Sequence, residues 1–177
     1  MVDAGRTLLT PLKPRHLAKT LEWINDKETA RLLDRAPGVS ADEHAGWYRR
    51  VVRDRTQVIF AIETRPGHEH VGNCGLREVD RRSRKAKLWI YLGKEFVGKG
   101  YGGEATGLLL KYGFGRLKLN RVYLYALGSN TRAIRMYERL GFRVEGRFRE
   151  DLFTGGRYED SVWMGLLKKD FQRHPPP

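Results

Sequence analysis

The 177-residue chain has one cysteine, Cys74, so it can form no internal disulfide and no cysteine-based metal site. No apolar run approaches the roughly 20 residues that a membrane helix needs. The opening "MVDAGRTLLT" has no apolar signal segment, which sets the cytoplasm as the expected location, with no membrane partner. Repeats and low-complexity linkers are absent. Acidic residues are scarce: 21 Asp and Glu stand against 34 Lys and Arg, for a net charge of +13. Neither a zinc-finger spacing nor an aromatic-interleaved RNA-recognition motif accompanies that charge. Much of it falls in short bursts, "RRVVRDR" (49–55) and "RRSRK" (81–85), which read as solvated turns. Nucleic acid therefore ranks below a phosphate-rich cofactor or substrate as the reason for the basic balance. Only two of the five histidines lie close together, His68 and His70, and they flank Glu69 in a turn, so no metal is expected.

What is present suits one soluble domain over residues 1–177, with 174–177 a disordered tail. Residues 6–12 read as a strand. Leu17, Leu21 and Ile24 recur at helical spacing behind Pro14, and "DKETARLL" follows as a short helix. Ser40 with Glu43 three residues on is a capping box for a helix through Trp47 and Val51. Three strands follow at 57–63, 70–79 and 86–93, joined by short turns and hence antiparallel. The spacing then predicts a helix over 104–117, a strand over 121–127 and a helix over 130–141 that is capped by Asn130 and stopped by Gly141. Strands at 142–150 and 157–167 close the chain. This order predicts an α/β domain with a mixed sheet, an antiparallel meander followed by a parallel crossover.

The stretch "EFVGKGYGGEA" (95–105) holds Gly98, Gly100, Gly102 and Gly103 ahead of a helix. A helix N-terminus offers unpaired N–H groups and partial positive charge, and glycines let an anion reach them. The stretch reads as a diphosphate cradle, with Lys99 adding charge and Tyr101 within it. It is neither a phosphate-binding GK[ST] loop nor a G-x-G-x-x-G fingerprint.

Together with "SNTRAIRMYERLGF" (129–142), which places Asn130, Ala133, Tyr137, Gly141 and Phe142, this segment resembles the GNAT superfamily of acetyl-CoA-dependent N-acetyltransferases. The family's pyrophosphate loop reads Gln/Arg-x-x-Gly-x-Gly/Ala, and Val97 stands where Gln or Arg is usual. The resemblance implies a V-shaped cleft between two central strands. It has the backbone of Ile90, Tyr91 and Leu92 pair with the pantetheine arm, which Asn130 also holds. It puts the Tyr137 hydroxyl at the thioester sulfur as proton donor, with acetyl-CoA as acyl donor and no metal. An amine attacks only as a free base, so a proton must leave. Glu78 is the first candidate base; Asp26, His44, Glu159 and Asp160 are the others. Trp23, Asp26, His44 and Tyr48 are expected on the acceptor wall, and Trp47 belongs to the same helix. Cys74 reads as a buried strand residue.

The acceptor expected first is a primary amine of a small molecule, among them a nucleotide-linked amino sugar. The N-terminal α-amine of a protein, ribosomal proteins included, ranks second and a polyamine third. A non-catalytic acyl-CoA sensor or RNA-associated adaptor is the reading from another class. The oligomer stays open, a homodimer being common in the fold.

Overall fold

The computed structural model describes residues 2–173, so the expected tail lies outside the described residues. The chain starts in a hairpin that the sequence pattern did not reveal: β1 (Val2–Ala4) pairs antiparallel with β2 (Thr7–Pro11) around Gly5. Next come α1 (Leu17–Asn25), α2 (Lys27–Leu32) and α3 (Ala41–Val51). Asp26 caps α2 by accepting from the Thr29 amide at 3.0 Å. Ser40 and Glu43 form the reciprocal capping box at the start of α3. Three strands follow, β3 (Val58–Thr64), β4 (His70–Asp80) and β5 (Lys85–Leu92), each antiparallel to the last.

Helix α4 (Tyr101–Gly115) crosses over to β6 (Arg121–Leu127), which runs parallel to β5. Helix α5 (Thr131–Arg139), strands β7 (Arg143–Thr154) and β8 (Arg157–Leu167), and α6 (Lys168–Arg173) complete the domain. The eight strands form one mixed sheet in the order β1-β2-β3-β4-β5-β6-β8-β7. Helix α4 begins three residues before the expected 104: its glycines join the first turn because Arg6 and Thr7 clamp Glu104 there, at 2.7 and 2.8 Å.

The core lies between the sheet and the helices α4, α5 and α6. Leu108, Leu109 and Leu110 are all buried, so α4 is apolar around most of its circumference and packs as an interior helix. Fully burying each such leucine stabilises by about 1.5–3 kcal/mol. On the other face, α1 reaches the sheet through Thr20, whose hydroxyl accepts from Asn73 on β4 at 2.9 Å.

Strands β5 and β6 pair only at Lys85–Arg121, Ala86–Val122 and Lys87–Tyr123. Beyond Lys87 the two strands diverge. A bulge in β4 between Arg77 and Asp80, with Glu78 at φ 56°, lies beside this last paired segment. Bulges bend a strand and raise its local twist, which carries the rest of β5 away from β6. The result is the expected V-shaped opening.

Candidate active site

The opening between β5 and β6 is part of a cleft of about 1610 Å³. Residues 88–92 of β5 form one wall, and Ala126, Asn130 and Tyr137 line the other. From Leu88 onward the β6-facing edge of β5 has no strand partner, so its backbone groups face the cleft. An extended ligand laid there gains the pairing of an added strand.

At the mouth, Gly98 and Gly100 adopt φ of 85° and 91°, a left-handed conformation that side chains resist. A Cβ on Gly100 would sit 2.9 Å from an Arg6 guanidinium nitrogen. No side chain caps the first amides of α4. Gly98, Gly100, Gly102 and Gly103 all line the cleft. The opening amides and the helix dipole therefore form an anion cradle with nothing of the chain's own to fill it. Lys99 and Tyr101 are not among the lining residues: the Lys99 ammonium lies over the Phe96 ring at 5.6 Å, and the Tyr101 ring stacks under Arg6. Arg132 at the start of α5 and Lys111 on α4 also line the cleft and add positive charge to it. Sequence reasoning named neither. Arg132 sits two residues past the Asn130 cap, a position at which the "NTR" spelling was a usable signal.

Asn130 spends its side-chain oxygen on the Ala133 amide at 3.2 Å, which starts α5 at the cleft wall. Tyr137 is 6% exposed, its ring edge-on to Phe142 at a centroid separation of 5.6 Å. Its hydroxyl has no hydrogen-bond partner among the described residues. Burial pushes that hydroxyl well above its ordinary value of 10.0, so at neutral pH it is a proton donor.

The other sequence candidates divide. His44 lines the cleft, buried and stacked on Trp47 at 5.1 Å, and its Nε2 has no partner. Burial, with Arg35 nearby, lowers its pKa below 6.5, so the ring is neutral at pH 7. Asp26 also lines the cleft, and the Thr29 amide it accepts from lowers its pKa. Trp23 does not line it: the indole is buried against His70 and Phe96 and donates to Glu95 at 3.4 Å. Tyr48 donates to the Leu12 carbonyl at 3.4 Å and is not a lining residue either. Glu78 stands outside the lining, with its side chain 54% exposed and accepting from the Tyr123 hydroxyl at 2.8 Å. Its positive φ lies in the β4 bulge between Arg77 and Asp80. Glu159 is held by Arg31 at 2.7 Å and Arg157 at 2.9 Å, and Asp160 by Arg147 at 2.8 Å. Cys74 is fully buried, and burial raises its thiol pKa, so it carries no thiolate.

The description of the GNAT acetyltransferase domain family matches residues 6–143. The chain belongs to the GNAT acetyltransferase family. It is an acyltransferase of the N-acetyltransferase type. The spermidine N(1)-acetyltransferase of Escherichia coli K12 is 28% identical over 171 residues, 97% of this chain and 91% of that protein. A putative ribosomal N-acetyltransferase of Bacillus subtilis is 37% identical over 101 residues, 57% of this chain and 55% of that protein. Among solved structures, the Vibrio cholerae spermidine N-acetyltransferase in complex with CoA and spermine superposes with a TM-score of 0.91 at 27% identity, covering 94% of this GNAT chain and 98% of that one.

Proposed function

We propose that the enzyme moves an acetyl group from acetyl-CoA directly to a primary amine of a small molecule. The observation that carries this reading is the meeting, in one cleft, of three parts: uncapped glycine amides at α4, an unpartnered β5 edge, and a buried neutral tyrosine. The amides of α4 would hold the diphosphate, with the positive charge of Arg132 and Lys111 on the same cleft. The β5 edge would align the pantetheine arm, and its N–H groups would take the negative charge that develops on the thioester oxygen. Tyr137 would return a proton to the departing thiolate. Val97, where the family has Gln or Arg, removes one side-chain contact and leaves the backbone cradle intact.

For removal of the amine proton, His44 is better placed than Glu78: it lines the cleft, it is neutral, and its Nε2 is unpartnered. Because Nε2 is buried, a proton from the attacking amine would reach it once the ring turns toward the bound acceptor or a water enters beside it. A second reading, polyamine acetylation, is supported by the full-length match to the E. coli spermidine enzyme. Against it, cationic side chains outnumber acidic ones around the cleft.

Thiol release from acetyl-CoA, followed with a panel of amino sugars, amino acids, polyamines and peptide N-termini, tests the proposal. Turnover with a small primary amine is expected. Coenzyme binding without turnover on any amine would favour an acyl-CoA sensor instead.

A further inference from the structure

Past the point where β5 leaves β6, the acceptor end of the cleft carries an arrangement of charge that the fold does not need. Arg77 on β4 and Lys87 on β5 are direct cross-strand partners. Like charges placed opposite one another destabilise a sheet. Both side chains line the cleft, and so does Arg35 from the α2–α3 connection. Lys87 is only 12% exposed, with its ammonium 4.4 Å from the Tyr125 ring centroid and 5.0 Å from that of Trp163. Burial, then Arg77, lowers the lysine pKa, as expected for a cation short of counter-charge.

The nearby carboxylates neutralise the group only in part. Glu78 stands 3.8 Å from Arg77 and 4.0 Å from Lys87, at the limit of ion pairing, and one of its oxygens is taken by Tyr123. Asp34 accepts from the Tyr125 hydroxyl at 3.2 Å. Neither carboxylate is a lining residue. Arg35 has no carboxylate within ion-pair distance among the described residues. Three acids are on the cleft lining: Asp26, which caps α2, Glu28 on α2, held by Arg31 at 2.8 Å, and Glu104 on α4, held by Arg6 at 2.7 Å.

We propose that Arg77, Lys87 and Arg35 form an anion subsite, so that the acceptor is an amine which also carries a phosphate or a carboxylate. This rests on the acetyl-transfer reading and specifies its acceptor. A polyamine brings several positive charges to this surface and is disfavoured by the same cations that hold an anion. The rings of Tyr125 and Trp163 keep the Lys87 ammonium desolvated, which strengthens its pull on an anion.

The test is a calorimetric titration of the CoA-saturated protein with four probes: O-phosphoethanolamine, 4-aminobutyrate, butylamine and spermidine. At least one of the two anion-bearing probes should bind about tenfold or more tighter than butylamine, the scale of a charge-assisted hydrogen bond. Which of the two binds tells phosphate from carboxylate. R77Q and K87Q should each weaken that probe about tenfold and leave CoA affinity unchanged, which also shows that the variants are folded. K87R should retain it. The inference is overturned if spermidine or butylamine binds as well as the tighter of the two anionic probes, if none of the four binds, or if R77Q and K87Q leave anion binding intact. Failure of acetyl transfer itself shows up separately, as loss of CoA binding or of thiol release with every amine.

Discussion

Replacing Tyr137 by Phe isolates the proton-donor role because the structure lets nothing else change. The hydroxyl makes no hydrogen bond to another described residue, so its loss breaks no bond within the protein. The ring keeps its edge-on contact with Phe142 and its place in the core. Stability should therefore move by less than about 0.5 kcal/mol, the scatter of substitutions that disturb no packing or bonding. Catalysis should move far more. General acid catalysis is worth about 10²–10⁴-fold; with water able to substitute in an open cleft, the lower end applies, about 10²-fold in kcat, or roughly 2.7 kcal/mol of barrier. Because burial holds the hydroxyl above its ordinary 10.0, the wild type should show no alkaline loss of kcat from this group below that pH. Steady-state thiol release from acetyl-CoA, paired with calorimetric coenzyme affinity and a thermal melt, reads all three quantities. An unchanged kcat would remove Tyr137 from the chemistry. A fall in kcat matched by a fall in melting temperature would make it a packing residue only.

Gly100→Val forces a β-branched residue to φ 91° and drives its Cβ toward Arg6, so local strain of about 1–3 kcal/mol should weaken acetyl-CoA binding about 10–100-fold; an unaltered dissociation constant would place the diphosphate elsewhere. His44→Gln should lower kcat by about 10²-fold and abolish the acid limb of the kcat/KM profile. That limb should lie below pH 6.5 in the wild type, because the lowered imidazole pKa keeps the ring neutral until the pH falls through it; an acid limb that survives the substitution would assign the proton to another group. Glu63, buried on β3, is raised by burial but pulled down further by Arg15, His68 and His16, to about 2. Its contribution to stability is present above 4.5 and is lost as the pH falls toward about 2, so Glu63→Gln should flatten the urea midpoint's pH dependence over that interval.

The parts of the fold set by local chemistry were legible in the sequence. Ser40 and Glu43 close their capping box within four residues, Asn130 caps α5, and Gly141 stops the chain after it at φ 91°. The glycine cluster marked the start of α4, whose first amides no side chain caps and whose glycines line the cleft. What depends on tertiary register was not legible. The cross-strand meeting of Arg77 with Lys87 exists only once β4 and β5 pair, and the bulge at Glu78 is a matter of β4–β5 register that no local pattern announces. The Trp23 face of α1 packs on His70 of β4 and on Phe96 rather than lining the cleft, which a periodicity cannot distinguish. The lysine inside the apolar run "AKLWIYLG" was the one local sign that this strand serves more than the core.

The central claim is that α4 amides and a splayed β5 edge seat acetyl-CoA with its acyl end in the V between β5 and β6. A crystal structure of the complex tests it most directly. The account predicts the diphosphate against the backbone of residues 98–103, the pantetheine arm along Ile90–Leu92, and the thioester sulfur within hydrogen-bond reach of the Tyr137 hydroxyl. Coenzyme bound on another face, or a sulfur remote from Tyr137, would contradict it.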